Sequence, residues 1–308
     1  MKNLLYLFLI GILFSCGGGG EDNEPNPEPK EYIVSLGMVG EIVDMEEIPM
    51  SKASDETTEI YGVQVYEFMG ATYEPYAYGV FDDVSKMKVR LLEEHKYRIE
   101  ATMLPNPPNY TPFFTNKTTF NIDNIFYITD ETYLPKLGVG NMVLPAEGGL
   151  NKEYERPNAD RYYGMKEYTP DGSNSVNIEM KRPVFGVKVI VENAWDGSID
   201  LKLEGSPKIS KDCNNEKQTV IEDIFTFATL GTYDDYSESI NISVTWNKKD
   251  GESTTPVSIM NQKVSFKRKK ITVITIRIND LDPSSNPSLS LKKEEGDLIE
   301  GDKIDIVF

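Results

Sequence analysis

The feature that most limits how this chain can fold is a two-residue alternation interrupted by a proline, within residues 175–192. Apolar side chains recur at every second position on both sides of the break, at Val176, Ile178, Met180, Phe185, Val187, Val189 and Val191. This is the pattern of β-strands with one buried face. Because proline cannot donate to a sheet, Pro183 belongs at an edge, a bulge or the start of a new strand. We interpret it as the boundary between two β-domains.

Length and composition support two domains of one class. The chain has 308 residues, 39% of them hydrophobic, which exceeds what one sandwich of ~100 residues needs. Long stretches of helical period are missing after the N-terminal segment, and Gly and Pro punctuate the chain, as in all-β proteins. We therefore predict two tandem β-sandwich domains, residues 32–181 and 182–308, after an export signal (1–15) and a linker (16–31).

Strand positions follow from the apolar alternation. In the first domain it predicts strands at residues 32–43, 60–68, 76–81, 86–92 and 96–104, and one or two short strands within 113–133. The last two long strands should form a hairpin. We expect the face with Tyr61, Val63 and Val65 to be buried, and a bend or bulge at Gly37 and Gly40. Residues 135–171 are predicted to be irregular.

The second domain shows the strand spacing of a sandwich. After the strand that begins near Pro183, strands are predicted at residues 199–203, 219–229, 238–246, 257–266, 271–278, 288–291 and 303–308. Within residues 271–278 the apolar set changes phase between Val273 and Ile274. The change predicts either a bulge or a strand that is covered on both faces.

The N-terminal segment is typical of an export signal. Lys2 precedes an apolar run, residues 4–14, that is too short to span a bilayer. Its ending, Leu13-Phe14-Ser15-Cys16, resembles the lipobox of bacterial lipoproteins, which implies an acylated Cys16; the alternative is an ordinary signal peptide. The glycines, acidic residues and prolines of residues 17–31 predict a flexible tether.

Charge and cysteine content limit the partners. The net charge is −18, from 32 basic and 50 acidic residues. Removing residues 1–15 takes away Lys2 and no acid, so the charge becomes −19. Such a surface repels nucleic acid and anionic membrane surfaces. If Cys16 carries lipid, Cys213 is the one remaining thiol, and no intramolecular disulfide is expected.

Residues for catalysis or for cofactors are scarce. His95 is the one histidine; we expect it on the surface, and Cys213 lies in a polar stretch. No spacing of Cys and His residues suits zinc, and no Gly-rich loop suits phosphate. We predict a non-enzymatic protein without cofactor or metal.

Two local clusters leave alternatives open. Arg161, Tyr162 and Tyr163 could form an aromatic platform for a sugar, or the tyrosines could pack on the sandwich. The basic run at residues 267–270 reads as a solvated hairpin turn; the alternative is contact with an acidic partner or a lipid phosphate.

Several stretches resemble one family. The lipobox, the block 61–104 with Pro75-Tyr76-Ala77-Tyr78-Gly79, the junction Arg182-Pro183-Val184-Phe185-Gly186 and a late hairpin within 264–278 are similar to fimbrillin-type surface lipoproteins of Bacteroidota. The resemblance implies two Greek-key, transthyretin-like sandwiches and a role as stalk, anchor or tip subunit of adhesive fimbriae.

The resemblance also separates possible roles. In stalk subunits of the family a protease cuts after a basic residue, usually arginine, behind the first strand, and a neighbour's strand fills the groove. Here residues 44–59 contain no arginine, and Lys52 is the one basic residue. We therefore expect an uncut, lipid-held anchor, accessory or adhesion protein of the outer membrane, with fimbrial subunits as partners through strand addition. The alternative is a glycan-binding surface lipoprotein for nutrient capture.

Overall fold

The computed structural model describes residues 30–40, 59–105, 114–115, 118–119, 121–128, 142–145, 151–214, 216–278, 288–289 and 303–307. Within these ranges the regular structure is strand, apart from a 3-10 turn at Val84–Lys86. The predicted all-β class is confirmed.

The strands are numbered in chain order. They are β1 Glu31–Gly40, β2 Glu59–Phe68, β3 Tyr73–Phe81, β4 Lys88–Leu92, β5 Tyr97–Pro105, β6 Phe114–Thr115, β7 Thr118–Thr119, β8 Tyr127–Ile128, β9 Met142–Pro145, β10 Asn151–Tyr154, β11 Tyr162–Tyr168, β12 Ser175–Met180, β13 Val184–Glu192, β14 Ser198–Leu203, β15 Lys208–Asp212, β16 Gln218–Thr226, β17 Ser237–Asp250, β18 Ser253–Lys267, β19 Ile271–Arg277, β20 Ser288–Leu289 and β21 Lys303–Val307.

The first sandwich packs a three-stranded sheet, in the order β12-β1-β4, against a five-stranded sheet, β11-β5-β2-β3-β8. One buried cluster lies between the two sheets and includes Val34, Val63, Val89, Ile99 and Ile178. As predicted, the face of β2 with Tyr61, Val63 and Val65 is buried. The alternation of each strand thus supplies one layer of the core.

The predicted hairpin of β4 and β5 is wrong. β4 pairs with β1, whereas β5 pairs with β2 and β11, so the chain crosses from one sheet to the other through residues 93–96. Glu94 takes a positive φ of 65° in this connection. Both strands direct apolar residues into the same core from opposite sheets. Alternation shows which face is buried but not which strand is the neighbour.

The second sandwich packs the sheet β16-β13-β19-β21-β20 against the sheet β15-β14-β17-β18. Its buried cluster draws on β13, β14, β16, β17, β18 and β19. Phe185 lies at the centre, with ring centroids 5.8, 4.5 and 4.8 Å from those of Phe225, Phe227 and Phe266. Such aromatic pairs add to the free energy of area burial.

The phase change in β19 marks a strand that is covered on both faces. The strand keeps continuous register with β13 and with β21, so the bulge alternative is wrong. Val273 and Ile274 are both buried. β19 pairs in parallel with both neighbours, and parallel strands are commonly buried on both faces.

Two further sequence predictions need correction. β18 and β19 belong to different sheets, so the expected hairpin around residues 267–270 is instead a crossover.

Residues 135–171, predicted to be irregular, contain β9, β10 and β11. In β11 the carbonyl of Glu179 approaches Gly164 so closely that a Cβ there would overlap it. The glycine that permits this contact also breaks the apolar pattern.

The segment between β10 and β11 of the first sandwich contacts the second sandwich. The backbone N–H of Thr226 donates to the carbonyl of Pro157 at 2.9 Å, and its hydroxyl donates to that of Ala159 at 3.0 Å. Arg156 forms an ion pair with Glu238. Residues of the predicted first domain therefore complete the surface of the second sandwich.

Candidate functional site

The most distinctive arrangement is the place that β1 occupies, which we call the β1 slot. β1 pairs in parallel with β12, from Ser35 opposite Ser175 to Gly40 opposite Met180, and antiparallel with β4, from Glu31 opposite Leu92 to Ser35 opposite Lys88. The strand nearest the predicted lipid anchor is thus the middle strand of its sheet.

The inward face of β1 completes the core of the first sandwich. Val34 and Leu36 are buried and belong to the same cluster as Leu91 of β4 and Val176 of β12. Ile33, which points the other way, remains 63% exposed. Burying a Val or Leu side chain contributes roughly 1.5–3 kcal/mol, so β1 stabilises this sheet through two side chains and its ladder hydrogen bonds.

Polar contacts fix the N-terminal end of β1 against β4. The Tyr32 hydroxyl donates to Glu93 Oε1 at 2.8 Å, and this bond, together with burial, raises the pKa of Tyr32. The backbone N–H of Glu93 donates to the carbonyl of Lys30 at 2.8 Å. Arg90 Nε lies 3.5 Å from Glu31 Oε2 in an exposed ion pair, which contributes little because water screens it.

Gly37 has a packing role rather than a conformational one. The register of β1 with β12 is continuous through Gly37, so the bulge alternative is wrong at this residue. A Cβ at this position would overlap the side-chain oxygen of Asn177 on β12. Glycine therefore allows Asn177 to lie across the parallel pair. The side chain of Val39 lies outside the described part of the structure.

The geometry defines what the β1 slot could bind. Without β1, the facing edges of β12 and β4 would present unpaired N–H and C=O groups above an apolar floor. An extended segment with apolar residues at alternate positions could fill such a groove by strand addition. In this structure the protein's own β1 fills it.

Arg161, Tyr162 and Tyr163 do not form an open platform. Arg161 is fully buried and Tyr162 is nearly so, while Tyr163 is partly exposed. Arg161 Nε donates to the Thr102 hydroxyl at 2.6 Å, and burial lowers the pKa of Arg161 to about 9. Burial raises the pKa of Tyr163, because it disfavours the charged form of each group. The tyrosines pack on the sandwich, as the alternative predicted, but from strand β11 instead of a loop.

The basic run at residues 267–270 is tied to the junction between the sandwiches. Arg268 is buried, its Nε donates to the carbonyl of Arg182 at 3.1 Å, and its Nη1 lies 3.0 Å from Asp234 Oδ1. Arg182 in turn binds both carboxylate oxygens of Asp160, at 2.8 and 2.9 Å. The prediction of a solvated turn is therefore wrong for Arg268, since its guanidinium holds the junction.

The residues considered for catalysis lie apart. His95 is partly exposed, as expected, and contacts Glu67, while Cys213 is buried in the second core. Burial is the main cause that raises the pKa of the Cys213 thiol, which disfavours the reactive thiolate. Among the residues that the structure describes, no cluster of three or more His, Cys, Asp or Glu could hold a metal ion.

Two predicted sites cannot be placed. Cys16, the predicted lipidation site, and Lys52, the predicted protease site, lie outside the described residues. Within the described ranges, no helix has the length and apolar character needed to cross a membrane.

Sequence reasoning missed one partner of the slot. Residues 175–180 were correctly predicted to be a strand, but nothing in their alternation indicates a parallel neighbour more than a hundred residues earlier in the chain. The one local sign of that pairing is the small residue Gly37 opposite Asn177. It can be recognised only when the register of the two strands is known.

Comparisons with known proteins assign no family. No family model matches the chain, and no curated protein does. Similar solved structures include a candidate adhesin from Bacteroides ovatus, with 11% identity, a TM-score of 0.40 and coverage of 96% of this chain and 98% of that one. The fimbrial anchor protein Mfa2 from Porphyromonas gingivalis has 14% identity, a TM-score of 0.34 and coverage of 76% and 83%. These values are too low to assign a function.

Proposed function

We propose that this chain is a non-enzymatic lipoprotein of the outer membrane surface that keeps its own first strand and acts as an anchor, accessory or adhesion subunit. The observation that carries the proposal is the filled β1 slot. The sequence adds the lipobox at Cys16 and the acidic tether that follows it.

The position of β1 suits a protein held by its N-terminus. Residues 17–30 would reach at most roughly 45–50 Å when fully extended. Because β1 begins at Glu31, a force between the lipid on Cys16 and the folded part would act on the first residue of this strand. Tension along a middle strand loads two ladders at once, six register pairs with β12 and five with β4. An N-terminal strand that stays in its sheet therefore makes a firm attachment.

A stalk subunit would have the opposite requirement. Its first strand must leave after cleavage so that a neighbour's strand can enter the slot. Cleavage after Lys52 would separate β1 from the rest of the chain and make its departure possible. The two roles thus differ in where the mature surface protein begins.

The experiment is to purify the protein from its native cell surface, determine its first residue and identify what remains attached. We expect acylated chains that begin at Cys16 and carry fimbrial subunits. Chains that begin at Ala53, and that remain uncut in a Lys52→Ala variant, would show that the protein is a stalk subunit and not an anchor. Cys16→Ala is the matched control and should release the protein or leave its precursor unprocessed.

The glycan alternative lacks support at the residues first considered. Arg161 and Tyr162 are buried, so a sugar cannot reach the surface they would have formed. If glycan capture is the role, it requires a different site.

A further inference from the structure

A long strand lies at the edge of the second sandwich. β18 has 15 residues, Ser253–Lys267, and among the described strands it pairs only with β17. Proteins usually keep edge strands short or block them, because free N–H and C=O groups can pair with another chain. We propose that the second half of this strand, residues 260–267, which we call the β18 edge, binds an extended acidic segment of another protein as an added strand.

The neighbouring strands show which backbone groups of β18 face outward. The N–H of Glu204 donates to the carbonyl of Asn241 at 2.9 Å, so Asn241 of β17 bonds towards β14. Hydrogen-bonded positions alternate along an antiparallel strand, and the preceding residue, Ile240, therefore bonds to its partner on β18, Val264. The alternate residues of the β18 edge direct their N–H and C=O groups to the free side: Asn261, Lys263 and Ser265.

The first half of β18 is blocked, whereas the β18 edge is not. Pro256 lies opposite Asn247, which is paired with β14 and has the same orientation as Asn241. The proline therefore occupies an outward position, where it removes a donor from the free side. Ile259 has no partner on β17 and forms a bulge. Beyond it the register is continuous to Lys267, and no proline occurs.

The facing sheet extends further than the sheet that ends at β18. The two sheets meet at β15 and β16, where Lys211 Nζ donates to the Val220 carbonyl at 2.7 Å. From this end the described strands number four in one sheet, β15-β14-β17-β18, and five in the other, β16-β13-β19-β21-β20. A segment added beside β18 would therefore lie over the facing sheet and could bury apolar side chains against it.

The charge of the β18 edge selects the partner. β18 contains no Asp or Glu, although the chain has a net charge of −18. Its two lysines, Lys263 and Lys267, are exposed. Opposite charges on paired strands attract and like charges repel. Antiparallel pairing with the β18 edge of a second copy would bring four lysines together. The charge therefore favours a segment of another protein, with acidic residues on its exposed face and apolar residues on its buried face.

The test uses the mature full-length protein and a peptide of about eight residues in which valine and glutamate alternate. Binding should slow amide hydrogen exchange at Asn261, Lys263 and Ser265, because their N–H groups would enter the new ladder. Ser265→Pro should weaken binding about tenfold or more, since it removes an outward donor but no bond to β17. The matched control is Thr254→Pro, at an outward position in the half that Pro256 already blocks, and it should leave binding unchanged.

A second pair of variants tests the charge. Lys263→Glu should weaken binding about threefold or more, because a pair of opposite charges becomes a pair of like charges. Lys166→Glu makes the same change at an exposed position of β11 and should have no effect. A peptide with lysine in place of glutamate should not bind; equal binding of the two peptides would contradict an acidic partner.

Thermal unfolding checks that each variant is folded, and the exchange pattern of the wild-type protein decides if Ser265→Pro does not fold. No binding at millimolar peptide, protection only outside residues 260–267, or binding that survives Ser265→Pro would overturn the proposal. A dimer that Ser265→Pro dissociates would replace the acidic segment with a second copy of the chain. None of these outcomes bears on the anchor role, because that role depends on the β1 slot and Cys16.

Discussion

The two sandwiches differ in how much one middle strand contributes to the core. In the first, β1 forms eleven residue pairs with β12 and β4 and contributes two buried residues, Val34 and Leu36. In the second, β13 forms sixteen residue pairs with β16 and β19 and contributes Phe185, Val187, Val189 and Val191 to the core. Both strands lie inside a sheet, but the second one carries more of the core.

This difference separates a strand that completes a sheet from a strand around which a domain is built. β1 precedes the rest of the first sandwich in the chain, and its loss would remove one edge of the core. β13 contacts the aromatic centre of its domain, and its loss would remove that centre. A chain that exchanges strands could give up β1 but not β13.

The largest effect is expected from Phe185→Ala. The variant removes the ring that packs on Phe225, Phe227 and Phe266, and the cavity should lower the free energy of unfolding by roughly 4 kcal/mol. Calorimetry should show the transition of the second sandwich shifted and that of the first retained. Equal shifts of both transitions would contradict two separate cores. The surface control is Tyr233→Ala, which removes a ring that is 68% exposed.

A smaller loss is expected from Leu36→Ala in the β1 slot. The side chain is buried in the first core, so truncation should cost roughly 3 kcal/mol and should act on the first sandwich alone. The matched control is Ile33→Ala on the same strand, whose side chain is 63% exposed. If the two variants lost equal stability in urea unfolding, β1 would not be seated as described.

The isolated second domain tests how far the two halves depend on each other. We propose that residues 182–308 unfold cooperatively on their own. They should be less stable than in the full chain by at least roughly 2 kcal/mol, because Thr226 loses its hydrogen bonds to Pro157 and Ala159 at about 1 kcal/mol each. The ion pairs of Glu238 with Arg156 and of Arg182 with Asp160 are lost as well. A fragment without a cooperative transition would contradict a separate domain, and one as stable as the full chain would contradict the coupling.

The smallest effect concerns pH. Burial raises the pKa of Asp223, against hydrogen bonds from Ile224 and Asn158, so the folded protein holds this proton more tightly than the unfolded chain. The resulting stability is present below the unfolded pKa of about 3.9 and is lost as pH rises through the folded value. The urea midpoint of wild type should therefore fall relative to that of Asp223→Asn as pH increases above about 4. A constant difference, or the opposite slope, would contradict a buried carboxyl.

The sequence predicted the positions of many strands because burial on one face leaves a direct trace. The alternation before and after Pro183 corresponds closely to β12 and β13. The phase change in residues 271–278 also carried information, since β19 is covered on both faces.

The pairing of the strands was harder to predict from the sequence, because apolar alternation does not identify the neighbour of a strand. It could not reveal that β4 joins β1 or that β12 runs parallel to β1. The candidate sites failed for a related reason. Arg161 and Arg268 look like surface residues in the sequence, but partners distant in the chain accompany their burial.

The retention of β1 can be tested most directly with a disulfide across the slot. Ser35 and Lys88 are directly opposite on β1 and β4. The bond from Leu36 N–H to the Met87 carbonyl puts them at a non-hydrogen-bonded position, where side chains are closest. A Ser35→Cys/Lys88→Cys variant should form the bond during export, with Ser35→Cys alone as the control. We predict that the locked protein reaches the cell surface and retains its partners at wild-type levels. Loss of those partners in the locked variant, with recovery in the single variant, would show that β1 must leave its slot.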